Sequence, residues 1–194
     1  MENIIPFSQE GSPDFSILPS AARIELIKRS EVVLLTPEET ILESFDYSEH
    51  VYFIFKGLIA GYVQRGEEST VRWIRGNNDF AFAWNMDNNS FGFQKQLTGQ
   101  IMVALEETHA IKISFENLRW LQDKWPAIKD VLSFHMREYL ALDKWLQVKG
   151  DLQAKEKYEF VQRHVKFQLD KVPDVYLASW SGIRLEELRV IRKR

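Results

Sequence analysis

The sequence contains no cysteine among its 194 residues. This absence excludes disulfides, thiolate nucleophiles, cysteine-ligated zinc and cysteine-ligated iron–sulfur clusters. Long hydrophobic runs are also absent, because no window approaches the roughly 18 uninterrupted apolar residues of a membrane-spanning helix. The segment from Met1 to Pro6 lacks the basic region and the long apolar run of a secretion signal. We therefore expect a cytoplasmic protein that does not contact a membrane.

Histidine is scarce and scattered, which argues against an enzyme. A metal-dependent β-roll of the cupin type needs a His-x-His pair with a downstream Glu and His. No Ser-His-Asp arrangement, phosphate-binding loop or paired-acid motif stands out either. We therefore predict no catalytic residues, no metal and no cofactor, although haem binding through one histidine stays an open alternative. The four histidines are isolated from one another, at His50, His109, His135 and His164.

Charge is distributed unevenly along the chain. The net charge is -3, yet from Ser181 to Arg194 five basic residues face two glutamates, about +3, so the preceding residues carry about -6. An acidic body with a basic tip is a pattern found in nucleic-acid binders. A charged, frayed tail is the alternative. The hydrophobic share of 45% with 13 phenylalanines is ample for a packed core.

Short β-type runs alternate with turn residues before residue 115. Val51 to Phe55 leads into Lys56-Gly57, and Leu58 to Val63 leads into a polar turn at Gln64 to Glu67. Such runs, punctuated by Gly, Asn and Pro, are typical of an antiparallel sandwich or roll. No helical stretch separates them, which disfavours a parallel βαβ fold. A short helix is predicted from Ala21 to Arg29.

The period becomes helical after residue 115. One amphipathic segment is stopped by Pro126, and a longer helix is predicted from Ala127 to about Val148. It carries a seam with spacings of 4, 3, 4, 3 and 4, typical of a helix that pairs with another. We predict that this seam is a dimer interface; the alternative is that the roll of the same subunit covers it. The seam residues are Ile128, Leu132, His135, Tyr139, Leu142 and Leu146.

A domain boundary is predicted at residues 149–151, dividing the chain into residues 1–148 and 149–194. Beyond it, a helix is predicted from Ala154 to Leu169, and a short helix from Val175 to Trp180 that ends at Ser181-Gly182. A final basic helix begins near Arg184. Two short helices joined by a glycine-containing turn match the helix-turn-helix pattern.

Three stretches resemble one family. The segment from Pro173 to Arg194 resembles the end of the short Crp/Fnr-type regulators of Bacteroidetes. Ala154 to Phe160 is similar to their "A-x-E-R-Y-x-x-F", and Val51 to Leu58 to "V-Y-F-I-x-x-G-L". The resemblance covers nearly the whole chain. It implies an α+β fold: an N-terminal antiparallel β-roll (the cyclic-nucleotide-binding-like jelly roll), a long dimerisation helix and a C-terminal all-α helix-turn-helix domain.

The resemblance implies a dimeric, DNA-binding transcription regulator. Its implied partners are double-stranded DNA, a second copy, RNA polymerase and a small effector. The family's Ser-Arg pair is replaced here by Arg189-Val190, so the family's target sequence does not carry over. The alternative is an effector-binding or protein-interaction module that has lost specific DNA binding. The residues implied to contact DNA are Arg184, Glu186, Arg189, Arg192, Lys193 and Arg194.

This interpretation requires the last helix to face outward. It fails if that helix is tucked against its own subunit, with Arg189 and Arg192 engaged by internal carboxylates. An outward helix carrying Arg and Lys could instead enter the major groove, read guanine edges and hold phosphates.

The family's cyclic-nucleotide site is altered in this sequence. That site begins with a Gly-Glu pair and closes with Arg followed by Ser or Thr, where the Arg neutralises the phosphate. Here the glutamate is replaced by Asn77, and Thr98-Gly99 falls at the Arg-Ser position. A buried phosphate without a paired cation is heavily penalised, so we expect no cyclic-AMP binding. The cassette positions are Gly76, Asn77, Asn78, Lys95, Thr98 and Gly99.

Five aromatic residues lie between the two halves of this cassette. They either line a pocket for a more apolar effector or simply fill the roll. They are Phe80, Phe82, Trp84, Phe91 and Phe93.

Overall fold

The computed structural model describes residues 18–83, 95–148 and 152–193. The strands within these ranges are β1 Ser30–Leu35, β2 Thr40–Leu42, β3 Tyr47–Ser48, β4 His50–Lys56, β5 Ile59–Arg65, β6 Glu68–Arg75, β7 Phe80–Ala81, β8 Gln96–Leu97, β9 Gln100–Ala104 and β10 Thr108–Ser114. The helices are α1 Ser20–Lys28, α2 Phe115–Lys124, α3 Pro126–Val148, α4 Ala154–His164, α5 Asp174–Ser181 and α6 Leu185–Arg192. A 3-10 turn at Leu169–Lys171 lies between α4 and α5.

Two four-stranded antiparallel sheets form the roll, in the orders β1-β10-β4-β7 (the first sheet) and β2-β9-β5-β6 (the second sheet). The predicted α+β fold with an antiparallel roll is therefore confirmed. Successive side chains of a strand point to opposite faces, so Tyr52 and Ile54 fill the interior while Val51 and Phe53 point outward. Gly61 leaves room inside for the Trp73 ring, which would lie 2.2 Å from a Cβ at that position.

Helices cover the outer face of the first sheet. Val51 on β4 pairs with Ile113 on β10, and both contribute to a buried cluster with α1, α2 and the first half of α3. Ser114 caps α2, because its side chain accepts a hydrogen bond from the backbone N–H of Asn117 at 3.2 Å. The strand therefore passes directly into the helix that packs back on the sheet.

The C-terminal helices cover the outer face of the second sheet. Ala60 pairs with Ile74 on that face, and both join a buried cluster with residues of α4, α5 and α6. The backbone N–H of Val71, on the edge strand β6, donates to Ser179 Oγ of α5 at 3.0 Å. The outer face of the second sheet and the C-terminal helices therefore share one buried cluster. The predicted boundary at residues 149–151 lies outside the described residues and stays a prediction.

The predicted long helix is present as α3, but the assignment of its seam to a partner helix is wrong. Five of the six seam residues are at most 8% exposed in the single chain, and Leu146 is partly buried against the C-terminal cluster. The seam packs on its own roll, which is the alternative that the spacing also allowed. A 4-3-4 apolar spacing marks one face of a helix but does not say what covers that face. The pairing of two copies itself stays a prediction.

Helix α4 ends at His164, earlier than the predicted Leu169. Val165 is extended there, with ψ of 150°. The chain then leads through Phe167 to the 3-10 turn, which buries Leu169 without continuing the helix.

Candidate nucleic-acid interface

Helices α5 and α6 form a helix-turn-helix around Gly182. Gly182 has a φ of 64°, the left-handed conformation that glycine adopts at little cost. The backbone N–H of Ile183 donates to the Ala178 carbonyl at 3.1 Å, and Lys157 Nζ of α4 donates to the Gly182 carbonyl at 3.1 Å. Leu188 on α6 is fully buried in the cluster shared with α5. The turn and the shared core together fix the orientation of α6 relative to α5.

Several charged side chains of α6 and its N-cap face outward. The Arg184 side chain is 84% exposed and the Arg189 side chain 55%. Glu186 and Lys193 are also exposed, while Arg194 lies outside the described residues. The face therefore combines three cations with the acidic first turn of the helix, whose Glu187 lies 4.0 Å from Arg184 Nε.

Arg192 does not belong to this face, which corrects its predicted role as a DNA contact. Its side chain is only 17% exposed. It donates to the Val172 carbonyl at 2.9 Å and also contacts the Leu169 carbonyl and the Asp174 carboxylate. Arg192 follows buried Leu188 by four positions, so it shares the inner side of α6 and reaches back to the start of α5. Its role is to hold the domain together.

The DNA-binding interpretation requires α6 to face outward with Arg189 and Arg192 not engaged by internal carboxylates. This requirement is met only in part. Arg189 Nε lies 3.6 Å from Asp174 Oδ2, so the carboxylate of Asp174 engages both Arg189 and Arg192. The helix itself is not tucked away, since Arg189 stays half exposed and its neighbour Val190 is 55% exposed. Helix α5 lies against β6 of the roll.

The first half of the altered cassette forms a tight turn after β6. Asn77 Oδ1 accepts the backbone N–H of Gly57 at 2.9 Å, and Asn78 has a φ of 64°. A Cβ at Gly76 would lie 2.6 Å from the Cβ of Phe167, so the glycine provides the space in which Phe167 sits. These residues hold the turn and seat the segment that follows α4.

The second half of the cassette lies around β8 and β9. Thr98 is 3% exposed, and its backbone bonds to the chain at Phe45 and Asp46. Lys95 pairs with Glu49, and Gly99 faces open space. Within the described ranges, no hydrogen bond or ion pair joins these residues to Gly76, Asn77 or Asn78. Of the five aromatic residues between the halves, Trp84, Phe91 and Phe93 lie outside the described residues.

A buried polar network that sequence reasoning missed lies beside the cassette turn. Arg75 is 5% exposed; its Nη2 donates to Asp143 Oδ2 of α3 at 3.1 Å, and its guanidinium carbon lies 4.0 Å from the Tyr139 ring centroid. The Tyr139 hydroxyl donates to Asp79 Oδ1 at 3.1 Å and accepts the backbone N–H of Phe80 at 2.9 Å. The network ties β6, the turn and α3 together. In the sequence, the feature that could have indicated this network is an arginine at the end of an apolar strand.

Burial raises the pKa of both carboxyls in this network. For Asp79, the charge of Arg75 and the N–H of Gly76 oppose that effect, and for Asp143 the charge and hydrogen bond of Arg75 do so. Beside the network, Phe80, Phe82, Arg72 and Met136 line a cavity of about 40 Å³, room for a single water. In the described part of the chain, no group of three or more His, Asp or Glu side chains could hold a metal ion.

Comparison with solved structures places this arrangement in a known fold. Neither a protein-family model nor a curated protein matches the sequence. The c-di-GMP-responsive global regulator CLP of Xanthomonas campestris is similar, with a TM-score of 0.67 at 13% identity over 90% of each chain. FixK2 of Bradyrhizobium japonicum is similar with a TM-score of 0.68 at 12% identity, over 84% of this chain and 83% of its own. The chain has the fold of a Crp/Fnr-type regulator.

A variant of CooA from Carboxydothermus hydrogenoformans has the same Crp/Fnr fold, with a TM-score of 0.63 at 12% identity, over 87% of this chain and 77% of its own. Of these three neighbours, CLP is described as a global regulator. At such identity the likeness establishes the Crp/Fnr fold and the order of its parts. Separately, none of the described helices is long and apolar enough to cross a membrane.

Proposed function

We propose that the chain is a DNA-binding transcription regulator of the Crp/Fnr type that acts as a dimer on double-stranded DNA, with RNA polymerase as a further partner. The observation that carries this proposal is the outward face of α6, where Arg184, Arg189 and Lys193 are exposed after the Gly182 turn. The fold supports the architecture that such a role requires. Cyclic AMP is not proposed as the effector, since Asn77 already holds the Gly57 N–H.

The chemistry of this face suits a DNA duplex. A guanidinium can donate two hydrogen bonds to a guanine edge in the major groove, and any of the three cations can hold a phosphate. Two copies would place six such cations on two half-sites about one helical turn apart. Glu186 can accept from a cytosine amino group, a contact that adds sequence preference without adding affinity for phosphate.

A gel-shift series on the DNA upstream of the protein's own gene tests the proposal. Six phosphate neutralisations predict about a thousandfold loss of affinity between about 50 and about 200 mM salt. The double variant Arg184→Gln, Arg189→Gln should weaken binding and flatten this salt dependence. Arg65→Gln, an exposed arginine at the β5–β6 turn, is the matched control and should bind like the unchanged protein.

A second candidate function is supported by a specific observation. Glu186 and Glu187 occupy the first turn of α6, and Asp174 engages Arg189 and Arg192. Negative charge at this end of a recognition helix repels phosphates. These features favour an effector-binding or protein-interaction module that no longer binds specific DNA. The same gel-shift series separates the two, because absence of any shift at micromolar protein supports the module and contradicts the regulator.

We also propose that the second copy packs on the outward side of α3. The seam is covered by the roll, but Asp130 and Arg137 are exposed on the opposite side, and Phe134 and Ala141 are partly exposed there. Phe134, Arg137 and Ala141 are spaced by three and four residues, so they lie on one side of the helix. Two copies of the chain joined in parallel along this side of α3 would offer two α6 helices to a DNA duplex.

A further inference from the structure

A cavity of about 410 Å³ lies on the outer face of the first sheet, at the point where the helices stop covering it. The sheet provides its floor, in which Ile111 pairs directly with Phe53, and Phe53 with Phe80. One wall is α1, through Leu26 and Ile27. A second wall is α2, and the turn after β6 closes a third side. The sheet separates this cavity from the roll interior, and Asn78 of the altered cassette lies in the turn that closes the third side.

The cavity is apolar and open to solvent. Ile27 on its wall is 66% exposed, and Phe55 at the end of β4 is 47% exposed. Its volume lies within the range of small-molecule sites, which are mostly apolar concavities with a few placed polar groups. Exposed apolar surface of this kind is unfavourable unless something covers it. Its concave shape, closed on three sides, suits a small molecule better than a flat protein surface.

A cationic side chain, that of Arg23, lies among the described residues that line the cavity. Arg23 lies on α1, and its Nη2 donates a hydrogen bond to Ser20 Oγ at 3.3 Å. Within the described ranges Arg23 forms no ion pair, whereas Arg29, the C-cap of α1, pairs with Glu25. No Asp or Glu is among the described residues that line the cavity. Among the described residues, the lining of the cavity is therefore apolar apart from the guanidinium of Arg23 and the amide of Asn78.

We propose that this cavity binds an amphipathic carboxylate, with its apolar body on the sheet and its carboxylate on Arg23. At the roughly 30 Å³ that one water-sized group occupies, the cavity has room for about a dozen non-hydrogen atoms. A saturated chain with ten carbons has that size. A guanidinium binds a carboxylate through paired, charge-assisted hydrogen bonds, which gives the site its preference for an anion over an alcohol. The site does not depend on DNA binding.

Titration calorimetry of the full chain with decanoate, and with decanol as the uncharged counterpart, tests the proposal. Decanoate should bind more tightly than decanol. Arg23→Gln should weaken decanoate binding about tenfold and leave decanol binding unchanged, because it removes the charged partner alone. Arg119→Gln, an exposed arginine on α2, is the control for lost positive charge.

A second pair of variants tests the position of the site without disturbing the core. Ile27→Asp places a carboxylate at the mouth and should abolish decanoate binding. Ile24→Asp, on the same helix and 52% exposed but outside the cavity, should not. Because both side chains are exposed, neither variant should unfold the protein.

Four outcomes would overturn the proposal. The first is no decanoate binding at millimolar concentration, and the second is equal binding of decanoate and decanol with no effect of Arg23→Gln. The third is binding that appears only after residues 1–17 are removed, which would assign the cavity to that segment. The fourth is binding that appears only on dissociation of a dimer, which would assign it to a second copy.

Discussion

Arg192 shows how the surroundings of one side chain decide its role. Its guanidinium satisfies the carbonyls of Leu169 and Val172 and pairs with Asp174 at the start of α5. These groups lie 18 to 23 residues away in the sequence. A basic residue near the end of a basic helix looks like a DNA contact until its acceptors are known.

We predict that Arg192→Gln destabilises the protein while Lys193→Gln does not. Loss of the Arg192 guanidinium leaves carbonyl oxygens and a carboxylate without their donor, which should lower the free energy of unfolding by about 2 kcal/mol. Lys193 is exposed, so its substitution should change stability by less than about 0.5 kcal/mol. Urea unfolding measures both. Equal stability of the two variants would contradict the structural role of Arg192.

Asp79 is the residue whose titration bears most directly on the fold. Burial raises its pKa, and the positive charge of Arg75 opposes that shift. A carboxyl with a higher pKa in the folded state holds its proton more tightly there than in the unfolded chain. The contribution of Asp79 to the free energy of unfolding therefore falls as the pH rises from its ordinary pKa of 3.8 through the raised pKa of the folded state.

We predict that Asp79→Asn changes stability in a pH-dependent way. The variant cannot ionise, so its stability relative to the unchanged protein should increase as the pH rises above about 4. Chemical unfolding at several pH values measures this difference. Asp123→Asn, at an exposed position on α2, is the control. A difference that stays constant, or that falls with pH, would show that burial does not dominate the environment of Asp79.

At the scale of elements, close approach between segments is set by glycines. Gly61 lets the Trp73 ring lie across β5, and Gly76 lets Phe167 pack against the turn after β6. Phe167 belongs to the segment between α4 and α5, so this contact seats the C-terminal helices on the roll. It acts together with the bond from Val71 to Ser179 at the β6 edge.

We predict that Gly76→Ala loosens the C-terminal helices. The added methyl would lie 2.6 Å from the Phe167 Cβ, so the segment after α4 must move. Such overpacking costs about 1–3 kcal/mol and should speed hydrogen exchange in α5. Gly99→Ala is the matched control, because a Cβ there meets nothing within 4 Å. Unchanged exchange in α5 of the Gly76 variant would show that this contact does not hold the helices.

At the scale of the whole molecule, three apolar cores are stacked on the two sheets. One fills the roll, one lies under α1, α2 and the first half of α3, and one lies under the C-terminal helices. Helix α3 contributes to both outer cores through Ile128 and Leu142. The seam is therefore used within the chain, which leaves the opposite side of α3 for a second copy.

We predict a homodimer that depends on the outward side of α3. Light scattering at micromolar concentration should give twice the 22.8 kDa of one chain. Ala141→Glu should shift the protein toward the monomer, because it places like charges against each other in a two-fold pair. Arg119→Glu, on α2, should leave the dimer intact. A monomer at micromolar concentration of the unchanged protein would contradict the prediction.

The sequence by itself determined the order of the parts. Alternation of apolar residues in runs such as Val51 to Phe55 specified strands with two faces, and the change of period after residue 115 specified helices. The glycine at position 182 and the basic residues around it specified the helix-turn-helix pattern. These features are local, because they depend on neighbours within a few positions along the chain.

Only the tertiary structure decided which surfaces meet. The seam from Ile128 to Leu146 could be recognised as apolar, but its period is the same whether a roll or a second helix covers it. The pairing of Arg75 with Asp143 joins residues 68 positions apart, and no local pattern specifies it. For the same reason, the engagement of Arg192 and the cavity beside Arg23 were not foreseen. Periodicity determines which side of an element is apolar, whereas the partner of that side depends on packing between elements distant in sequence.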